Sequence, residues 1–285
     1  MIKLKHIIHD KKIGVTITGI DLAENLSVDT ILEIQYLLNK YKVVIFNNQN
    51  LLDEKIGDFA FKFGSPFTPD SKYPVLGSQD SSGPIVIVGN QASEFPNSYL
   101  GCQEVLPHSD HQWLKNPSSA SLLYAIDIQE NSANTFWYDM TKAYQMLDSE
   151  IKSTIDKLNI ITYNPFYRPF GTVSSKYVNR EKDIPLGNTF PHPLVRTHPL
   201  THQKILYMNI AYEIEFENLS YNEGNKLFNK LSEYISNFEY KYEHVWKNGD
   251  VVLWDNRSTI HYRPSFDTNV RRVLKRLTIG GEIPF

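Results

Sequence analysis

Cysteine is nearly absent from this 285-residue sequence, in which Cys102 is the single example. One thiol cannot form an intrachain disulfide, and we interpret it as an inert, small apolar side chain because no base is evident beside it. The N-terminal stretch MIKLKHIIHDKK also lacks the apolar run and the small-residue cleavage site of a secretory signal peptide. These absences predict a protein of the reducing cytoplasm.

Long apolar runs and an excess of positive charge are missing as well. Segments such as YKVVIF and PIVIV have the length of strands, whereas a membrane-spanning helix needs roughly 20 apolar residues. The chain holds 29 Lys and Arg against 32 Asp and Glu, a net charge of −3. We therefore expect neither a membrane nor a nucleic acid as partner, because no basic field is available to bind a phosphate backbone.

What the sequence does have is an ordinary globular composition with many aromatic side chains. Hydrophobic residues make up 41% of the chain, charged residues 21% and aromatic residues 13%. A globular chain of this size buries roughly three quarters of its surface, which is enough for a core without disulfides. No linker rich in Gly, Ser or Pro divides the sequence, so we predict a single domain that spans residues 1–285.

Helical periodicity is confined to a few segments. Ser27 precedes one such segment as a candidate cap, and Ser220 and Glu223 have the spacing of a capping box before another. The predicted helical segments are 27–40, 53–64, 141–147, 149–158 and one that begins at Ser220.

Strand-like segments dominate the rest of the chain. Because strands outnumber helices, we predict an α+β, mainly β fold whose sheets curl into a barrel or jelly roll with flanking helices. Two long loops, 64–83 and 163–193, are interpreted as lids or binding loops, with plain surface connections as the alternative. The predicted strands are 41–46, 84–88, 121–126, 134–138, 195–198, 205–208, 251–254 and 272–280.

The segment PHSDHQW places His108 and Asp110 two positions apart. On a strand, their side chains would point to the same face and could converge, whereas His111 would point away. His261, near the end of a strand expected after residues 251–254, is the candidate third ligand. Two imidazoles and one carboxylate on one face of an iron ion are typical of non-haem iron oxygenases, although an isolated HxD pair also arises by chance.

Two arginines follow His261. Arg272 lies eleven positions later on the next predicted strand, where its planar guanidinium can bind a carboxylate with two hydrogen bonds. Thr135 could add a hydroxyl to the same anion. Arg276 projects from the same strand face as Arg272, and two guanidiniums on one face repel each other unless an anion lies beside them. The alternative is a solvated, basic strand edge.

Seven segments spread over nearly the whole chain carry a resemblance to a known family. They are GVTITGIDL, VVIFNNQNL, FAFKFG, HSDHQW, NTFWYDM, HPLVRTHPLTHQKILYMN and NGDVVLWDNRSTIHYRPSFDTNVRRVLKRLTIGGEIPF. The sequence resembles the taurine dioxygenase-like (TauD/TfdA) family of iron(II) and 2-oxoglutarate-dependent dioxygenases. The last segment is the most specific, because a metal histidine and a cosubstrate arginine fall there at the family's spacing.

The resemblance implies a double-stranded β-helix, or jelly roll, with assigned roles for the site residues. His108, Asp110 and His261 match the ligands of Fe(II), and Arg272 and Thr135 match the residues that bind the side-chain carboxylate of 2-oxoglutarate. The implied reaction consumes O2 and 2-oxoglutarate, releases succinate and CO2, and oxidises a C–H bond of the substrate. The carboxylate ligand implies hydroxylation, desaturation or cyclisation, because halogenating relatives carry a small residue there.

The resemblance also bears on the substrate and on assembly. Arg276 matches an arginine that can reach substrate, and Tyr73, Phe166 and Tyr167 are candidates for an apolar wall, with ordinary packing as the alternative. Sulfonate-oxidising relatives carry a histidine shortly after the FG dipeptide, whereas FGSPFTPDSKYPV has none. We therefore expect a small carboxylate-bearing substrate, such as an amino acid or a biosynthetic intermediate, and low activity on taurine. Relatives are often dimers or tetramers, so the resemblance is compatible with a homo-oligomer, and the sequence leaves the oligomeric state open.

Two other functions remain open at this point. One is a metal-binding sensor or structural subunit on the same scaffold, and the other is a zinc hydrolase that uses the same three ligands. A hydrolase leaves the spacing of Arg272 and Thr135 unexplained. The remaining histidines of the segment HPLVRTHP, His192 and His198, are interpreted as packing or hydrogen-bonded groups.

Overall fold

The computed structural model describes residues 3–68, 83–96, 98–167, 176–179 and 187–285. Within these ranges strands outnumber helices. The helices are α1 (Val28–Tyr41), α2 (Asp53–Ala60), α3 (Met140–Met146), α4 (Ser149–Ile155) and α5 (Tyr221–Ser236). The strands are β1 (His6–Ile8), β2 (Val15–Ile17), β3 (Val43–Phe46), β4 (Val86–Gly89), β5 (Tyr99–Leu100), β6 (Val105–His108), β7 (Ala120–Ile128), β8 (Thr135–Asp139), β9 (Asn159–Thr162), β10 (His192–Pro193), β11 (Val195–Thr197), β12 (Lys204–Leu206), β13 (Ile214–Phe216), β14 (Lys241–His244), β15 (Val251–Asp255), β16 (Thr259–Arg263) and β17 (Arg272–Ile279).

The caps predicted for the two longest helices are present. The Ser27 hydroxyl accepts a hydrogen bond from the Thr30 amide at the start of α1. At the start of α5, Ser220 and Glu223 form a capping box in which each side chain accepts from the other residue's backbone amide. Both helices therefore begin where the sequence predicts, since the first amides of a helix need these acceptors.

Two sheets form the centre of the described part of the chain. An eight-stranded sheet has the order β1-β2-β3-β15-β7-β17-β4-β5, and a four-stranded sheet has the order β14-β8-β16-β6. Smaller sheets are formed by β10-β9-β13 and by the β11-β12 hairpin, whose two strands the sequence predicts. The two main sheets with flanking helices agree with the predicted α+β, mainly β fold.

The centre of the eight-stranded sheet is buried on both faces, which explains why VVIF in β3 is apolar at every position. Val44 and Phe46 belong to a core cluster with residues of α1 and α2. Val43 and Ile45 point the other way, into a second cluster that contains Trp137 from the four-stranded sheet. Helices therefore cover one face of the large sheet, and the second sheet covers the other.

The candidate site lies in the space between the two sheets. On β17, Leu274 packs in the inter-sheet cluster, while Leu277 and Ile279 pack toward the helices. Because strand side chains alternate, Arg272 and Arg276 share the face of Leu274. The strand alternation thus delivers both arginines to the inter-sheet space.

The segments expected to act as lids lie largely outside the described residues. Of the first loop, residues 64–68 and 83 are described, and the Phe67 amide donates to the Thr278 carbonyl of β17. Of the second loop, residues 163–167, 176–179 and 187–193 are described. No helix in the described ranges is both long enough and apolar enough to cross a membrane.

Candidate active site

His108 and His261 face each other across a strand pair. The two residues are direct partners in the antiparallel pairing of β6 with β16, and their ring centroids lie 4.1 Å apart. Asp110 follows in the turn after β6, with its Oδ1 3.5 Å from the His108 Nε2 and 3.9 Å from the His261 Nε2. The structure therefore brings together the three residues that the sequence singles out as ligands.

The prediction that His108 and Asp110 share one strand is wrong. Strand β6 ends at His108, and Asp110 lies in a turn. The backbone of the next residue, His111, has a φ of 61°, so extended structure cannot continue through this point. Convergence arises from the turn instead of from strand alternation.

The Asn256 side chain fixes the turn. Its Oδ1 accepts a hydrogen bond from the Asp110 amide at 2.9 Å, and its Nδ2 donates to the Asp110 carbonyl at 3.0 Å. Nδ2 also donates to the Ser118 carbonyl at 2.9 Å. Asn256 is 1% exposed, so these bonds are made away from water. The sequence analysis missed this residue, although its position between Trp254 and His261 in WDNRSTIH was a signal of proximity.

The three side chains fit a divalent metal ion. The candidate ligand atoms of His108, Asp110 and His261 all lie within 4.8 Å of one another. The His108 Nδ1 lies 2.8 Å from the Leu106 carbonyl, so a proton on Nδ1 leaves Nε2 with a lone pair directed at the site. Two imidazoles and one carboxylate with open positions are the ligand set of non-haem Fe(II) oxygenases.

Burial and neighbouring charges keep Asp110 and His261 in their metal-binding protonation states. Burial by itself raises the pKa of Asp110, but the nearby Arg276 guanidinium and the two histidines hold that pKa well below its usual value. Burial, with a contribution from His108, lowers the pKa of His261 to about 3. At neutral pH the site therefore presents a carboxylate and a neutral His261 imidazole.

Arg272 lies in a second polar group on the inner face of β17 and is 1% exposed. Its Nε donates to the Ala133 carbonyl at 3.1 Å, and its Nη2 donates to the Thr135 Oγ1 at 3.2 Å. No acidic side chain among the described residues pairs with this guanidinium, and burial lowers the pKa of Arg272 to about 9. A buried cation without a counter-ion is costly, so this pocket favours an anionic ligand.

Arg276 lies beside the ligand group. Its Nη2 is 2.8 Å from the Asp110 Oδ2, and its Nε has no hydrogen-bond partner in the described part of the chain. The residue is 9% exposed, so the alternative of a solvated basic edge does not hold for it. Lys275, on the opposite strand face, does pair with Asp53 at the surface.

An aromatic group borders the histidine pair. Tyr212 makes edge contacts with His108 and Trp113, with ring centroids 5.5 and 4.9 Å apart. Phe166, a predicted wall residue, contacts Trp113 edge-on at 6.1 Å. Tyr73 and the side chain of Tyr167 lie outside the described residues. Sequence reasoning missed Tyr212 and Trp113, because aromatic residues are common throughout this chain and periodicity does not separate them.

The other histidines make structural hydrogen bonds, as their interpretation from sequence anticipates. His192 Nε2 is 2.8 Å from the Leu114 carbonyl. His198 Nε2 is 2.6 Å from the Asp255 Oδ2. His111 Nδ1 bonds to the Ser118 hydroxyl at 3.0 Å, so it is engaged away from the ligand group.

Comparison with known proteins agrees with this geometry. Residues 8–278 match the family described as "Taurine catabolism dioxygenase TauD, TfdA family". An alkylsulfatase of Acinetobacter baylyi is 29% identical over 277 residues, which cover 95% of this chain and 83% of that protein. An alpha-ketoglutarate-dependent 2,4-dichlorophenoxyacetate dioxygenase of Cupriavidus pinatubonensis is 27% identical, and the match covers 92% of each chain.

Solved structures give the same result. A taurine dioxygenase from Burkholderia xenovorans superposes with a TM-score of 0.79 at 25% identity and covers 99% of this chain and 92% of its own. AAD-2, in complex with Mn(II) and N-oxalylglycine, superposes with a TM-score of 0.78 at 27% identity, with 99% of each chain covered. These neighbours confirm the predicted jelly-roll fold. The chain therefore belongs to the TauD/TfdA family and is an alpha-ketoglutarate (2-oxoglutarate)-dependent dioxygenase, an oxidoreductase that uses Fe(II), 2-oxoglutarate and O2.

Proposed function

We propose that this enzyme hydroxylates a small carboxylate-bearing substrate whose anionic group is bound by Arg276. One observation carries the proposal: a buried guanidinium lies 2.8 Å from the carboxylate of a candidate metal ligand, and its Nε has no hydrogen-bond partner among the residues that the structure describes. A cation in this position has spare donors for a second anion. An anion held there lies next to the group that carries out the oxidation.

The remaining site residues take the roles that their chemistry supports. His108, Asp110 and His261 hold the iron, and Arg272 with Thr135 binds the distal carboxylate of 2-oxoglutarate. The bound iron, cosubstrate and O2 supply the oxidant that attacks a C–H bond, with release of succinate and CO2. Arg276 orients the substrate, while the aromatic residues beside His108 exclude water from the reacting groups.

The aromatic group narrows the range of candidate substrates further. Trp113 and Tyr212 place apolar ring surface next to His108, and Phe166 extends it outward. A substrate with an acidic head and an apolar body is complementary to both Arg276 and these rings. A carboxylate is satisfied by one bidentate guanidinium, and the loop after Gly64 lacks the histidine that a sulfonate would require. Amino acids and biosynthetic intermediates with apolar side chains are the molecules to test first.

A sulfate ester is the second candidate. The relatives include the alkylsulfatase and an alpha-ketoglutarate-dependent sulfate ester dioxygenase of Pseudomonas putida, the latter 25% identical over 96% of this chain. An alkyl sulfate also combines an anionic head with an apolar body. Carboxylates and sulfate esters of matched chain length therefore have to be compared directly.

Succinate release tests the proposal. The purified enzyme with Fe(II), 2-oxoglutarate and O2 is offered taurine, amino acids, other carboxylic acids and alkyl sulfates, and product analysis separates hydroxylation from desaturation and cyclisation. We expect turnover of a carboxylate and low activity on taurine. Arg276→Ala should abolish substrate-stimulated succinate release, whereas Lys275→Ala removes the same charge from the outer face and should leave it intact. Brisk taurine turnover, or full activity of Arg276→Ala, would contradict the proposal.

A further inference from the structure

Trp246 lies between β14 and β15, directly behind the proposed cosubstrate pocket. Its indole Nε1 donates a hydrogen bond to the Thr135 Oγ1 at 2.9 Å. The Arg272 guanidinium lies over its ring, with the guanidinium carbon 5.9 Å from the ring centroid. Trp246 is 4% exposed, so both contacts are shielded from solvent. Neither the sequence motifs nor the proposed function assigns this residue a role.

The Thr135 hydroxyl is surrounded by donors. A threonine hydroxyl can accept two hydrogen bonds and donate one. Trp246 Nε1 and Arg272 Nη2 both donate to Oγ1, at 2.9 and 3.2 Å, and neither nitrogen can accept. No acceptor for the hydroxyl proton is recorded among the described residues. With both lone pairs of Oγ1 occupied, the proton is left to point at whatever else enters the pocket.

We propose that Trp246 is a positioning residue that orients the Thr135 hydroxyl as a donor toward the distal carboxylate of the 2-oxo acid. This inference rests on the proposed cosubstrate role of Arg272 and Thr135. Without the indole N–H, one lone pair of Oγ1 becomes free and the hydroxyl rotates among several orientations. The hydroxyl then loses rotational freedom when the ligand binds, and this entropic cost lowers the affinity for the ligand.

The surrounding turn holds the indole in place. The His244 ring packs edge-on against Trp246, with centroids 4.5 Å apart. His244 is itself fixed, because its Nε2 lies 3.1 Å from the Asp250 Oδ2 and its Nδ1 lies 3.0 Å from the Tyr242 hydroxyl. Asp250 also accepts from the Lys247 amide at 3.0 Å, which closes the turn that directly follows Trp246. The donor to Thr135 is therefore preorganised.

Substitution by phenylalanine isolates the N–H group. Trp246→Phe keeps an aromatic ring beside His244 and Arg272 but removes the hydrogen bond to Thr135. Trp137→Phe is a matched control, because Trp137 belongs to the same buried cluster and its Nε1 has no hydrogen-bond partner in the described residues. Both substitutions reduce ring size equally, so a shared packing effect appears in both variants.

The test is calorimetric titration of the Mn(II)-loaded protein with two ligands. N-oxalylglycine carries the distal carboxylate, and N-methyloxamate, measured by competition, keeps the same chelating group without it. We expect Trp246→Phe to raise the dissociation constant of N-oxalylglycine about three- to tenfold, which corresponds to the loss of one hydrogen bond. The dissociation constant of N-methyloxamate should be unchanged. Trp137→Phe should change neither dissociation constant.

A double-substitution cycle with Thr135→Val completes the test. In a chain that lacks the hydroxyl, Trp246→Phe should have no further effect on the dissociation constant of N-oxalylglycine. Equal weakening of both ligands by Trp246→Phe, an unchanged affinity for both, or the same effect in the Thr135→Val background would overturn the inference. If the unsubstituted protein itself fails to prefer N-oxalylglycine over N-methyloxamate, the proposed cosubstrate pocket is wrong and not only the role of Trp246.

Discussion

A buried guanidinium is stable only where acceptors or anions surround it, and this requirement explains the pocket around Arg272. Its Nε and Nη2 are bonded to the Ala133 carbonyl and the Thr135 hydroxyl, which are neutral acceptors. The charge is left without a counter-ion among the described residues. In the proposed cosubstrate pocket, the distal carboxylate of 2-oxoglutarate would supply that counter-ion, and the unliganded protein would bear the cost of the buried charge.

Removal of the Arg272 guanidinium should weaken the binding of 2-oxoglutarate far more than it disturbs the fold. For Arg272→Ala we expect the KM for 2-oxoglutarate to rise about 100-fold or more, because loss of one partner of a buried charge-assisted pair costs about 3–5 kcal/mol. Arg271→Ala is the control, since the guanidinium of this neighbouring residue pairs with Glu94 and Asp127 at the surface. Steady-state kinetics measure both, and an unchanged KM for Arg272→Ala would refute the assignment.

The residues of this site could be predicted from the sequence, but the way in which their side chains converge could be predicted only in part. The spacing of Arg272 and Arg276 follows strand alternation, and the structure places both on the inter-sheet side of β17 as expected. Asp110 reaches its place through a turn at His111 with positive φ, which hydrophobic periodicity does not encode. The segment WDNRSTIH indicates that Asn256 lies near His261, but not which residues its side chain bonds. The bonds of Asn256 to Asp110 and of Trp246 to Thr135 join residues more than a hundred positions apart, so no local pattern predicts these partners.

Among the elements, strand β17 connects the fold to the site. It pairs antiparallel with β7 on one side and β4 on the other, so its backbone is fixed along both edges. A register shift between Val273 and Leu274 marks a bulge in the pairing with β7. The extra residue is Ile126 on β7, so β17 itself keeps its alternation, and Arg272 stays on the same face as Leu274 and Arg276.

Gly89 on β4 permits the close approach of β17. A Cβ at this position would lie 2.4 Å from the Arg272 carbonyl oxygen, which is backbone and cannot move away independently. We therefore expect Gly89→Ala to lower the free energy of unfolding by about 1–3 kcal/mol and to raise the KM for 2-oxoglutarate, because the strand carrying Arg272 is displaced.

Gly57→Ala is the matched control for this experiment. Its Cβ would meet only the Phe61 ring, at 3.8 Å, and it lies inside helix α2. Alanine should stabilise that helix by about 0.5–1 kcal/mol and leave the KM unchanged. Chemical denaturation and kinetics measure both variants, and a Gly89→Ala protein with unaltered stability and KM would show that the spacing of β4 and β17 is unimportant.

The capped helices and long apolar strands were predictable, whereas several short strands were not. Helices α1 and α5 have explicit caps, and β3, β7 and β15 are apolar because both faces are buried. Strands such as β1, β5, β10 and β13 span two or three residues, too few for either periodicity to appear. Tertiary pairing defines them instead of local sequence.

At the scale of the whole molecule, Asp255 connects the large sheet to the β11–β12 hairpin. Its Oδ2 bonds to His198 Nε2 at 2.6 Å, and its Oδ1 accepts from Arg257 Nε at 2.9 Å. Amides of Leu200 and Thr201 donate to the His198 Nδ1, which leaves the ring proton on Nε2 for the carboxylate. Burial raises the pKa of Asp255, but Arg257 and His198 together hold it well below the usual value.

This carboxylate should make the stability of the molecule depend on acid pH. Because its folded-state pKa is depressed, its contribution is present above the unfolded pKa of about 3.9 and is lost as the pH falls below that value. We expect Asp255→Asn to lower the free energy of unfolding by about 2–4 kcal/mol at pH 7 and by progressively less toward pH 3. Denaturation curves across pH 3–7 measure the difference, and a difference independent of pH would contradict this role.

Several whole-molecule expectations remain predictions. A single domain over residues 1–285 is supported by the central pair of sheets, and it is a proposal that limited proteolysis can examine. A homo-oligomer, a cytoplasmic location and the absence of a nucleic-acid partner rest on the sequence and the family resemblance.

The measurement that tests the account most directly is anaerobic absorption spectroscopy of the protein with Fe(II) and 2-oxoglutarate. An iron held by His108, Asp110 and His261 and chelated by the 2-oxo acid should give a weak visible charge-transfer band. The band should disappear in His261→Ala and persist in His202→Asn, which changes an exposed histidine away from the site. Absence of the band from the unsubstituted protein, or a band that persists in His261→Ala, would contradict the assigned metal centre.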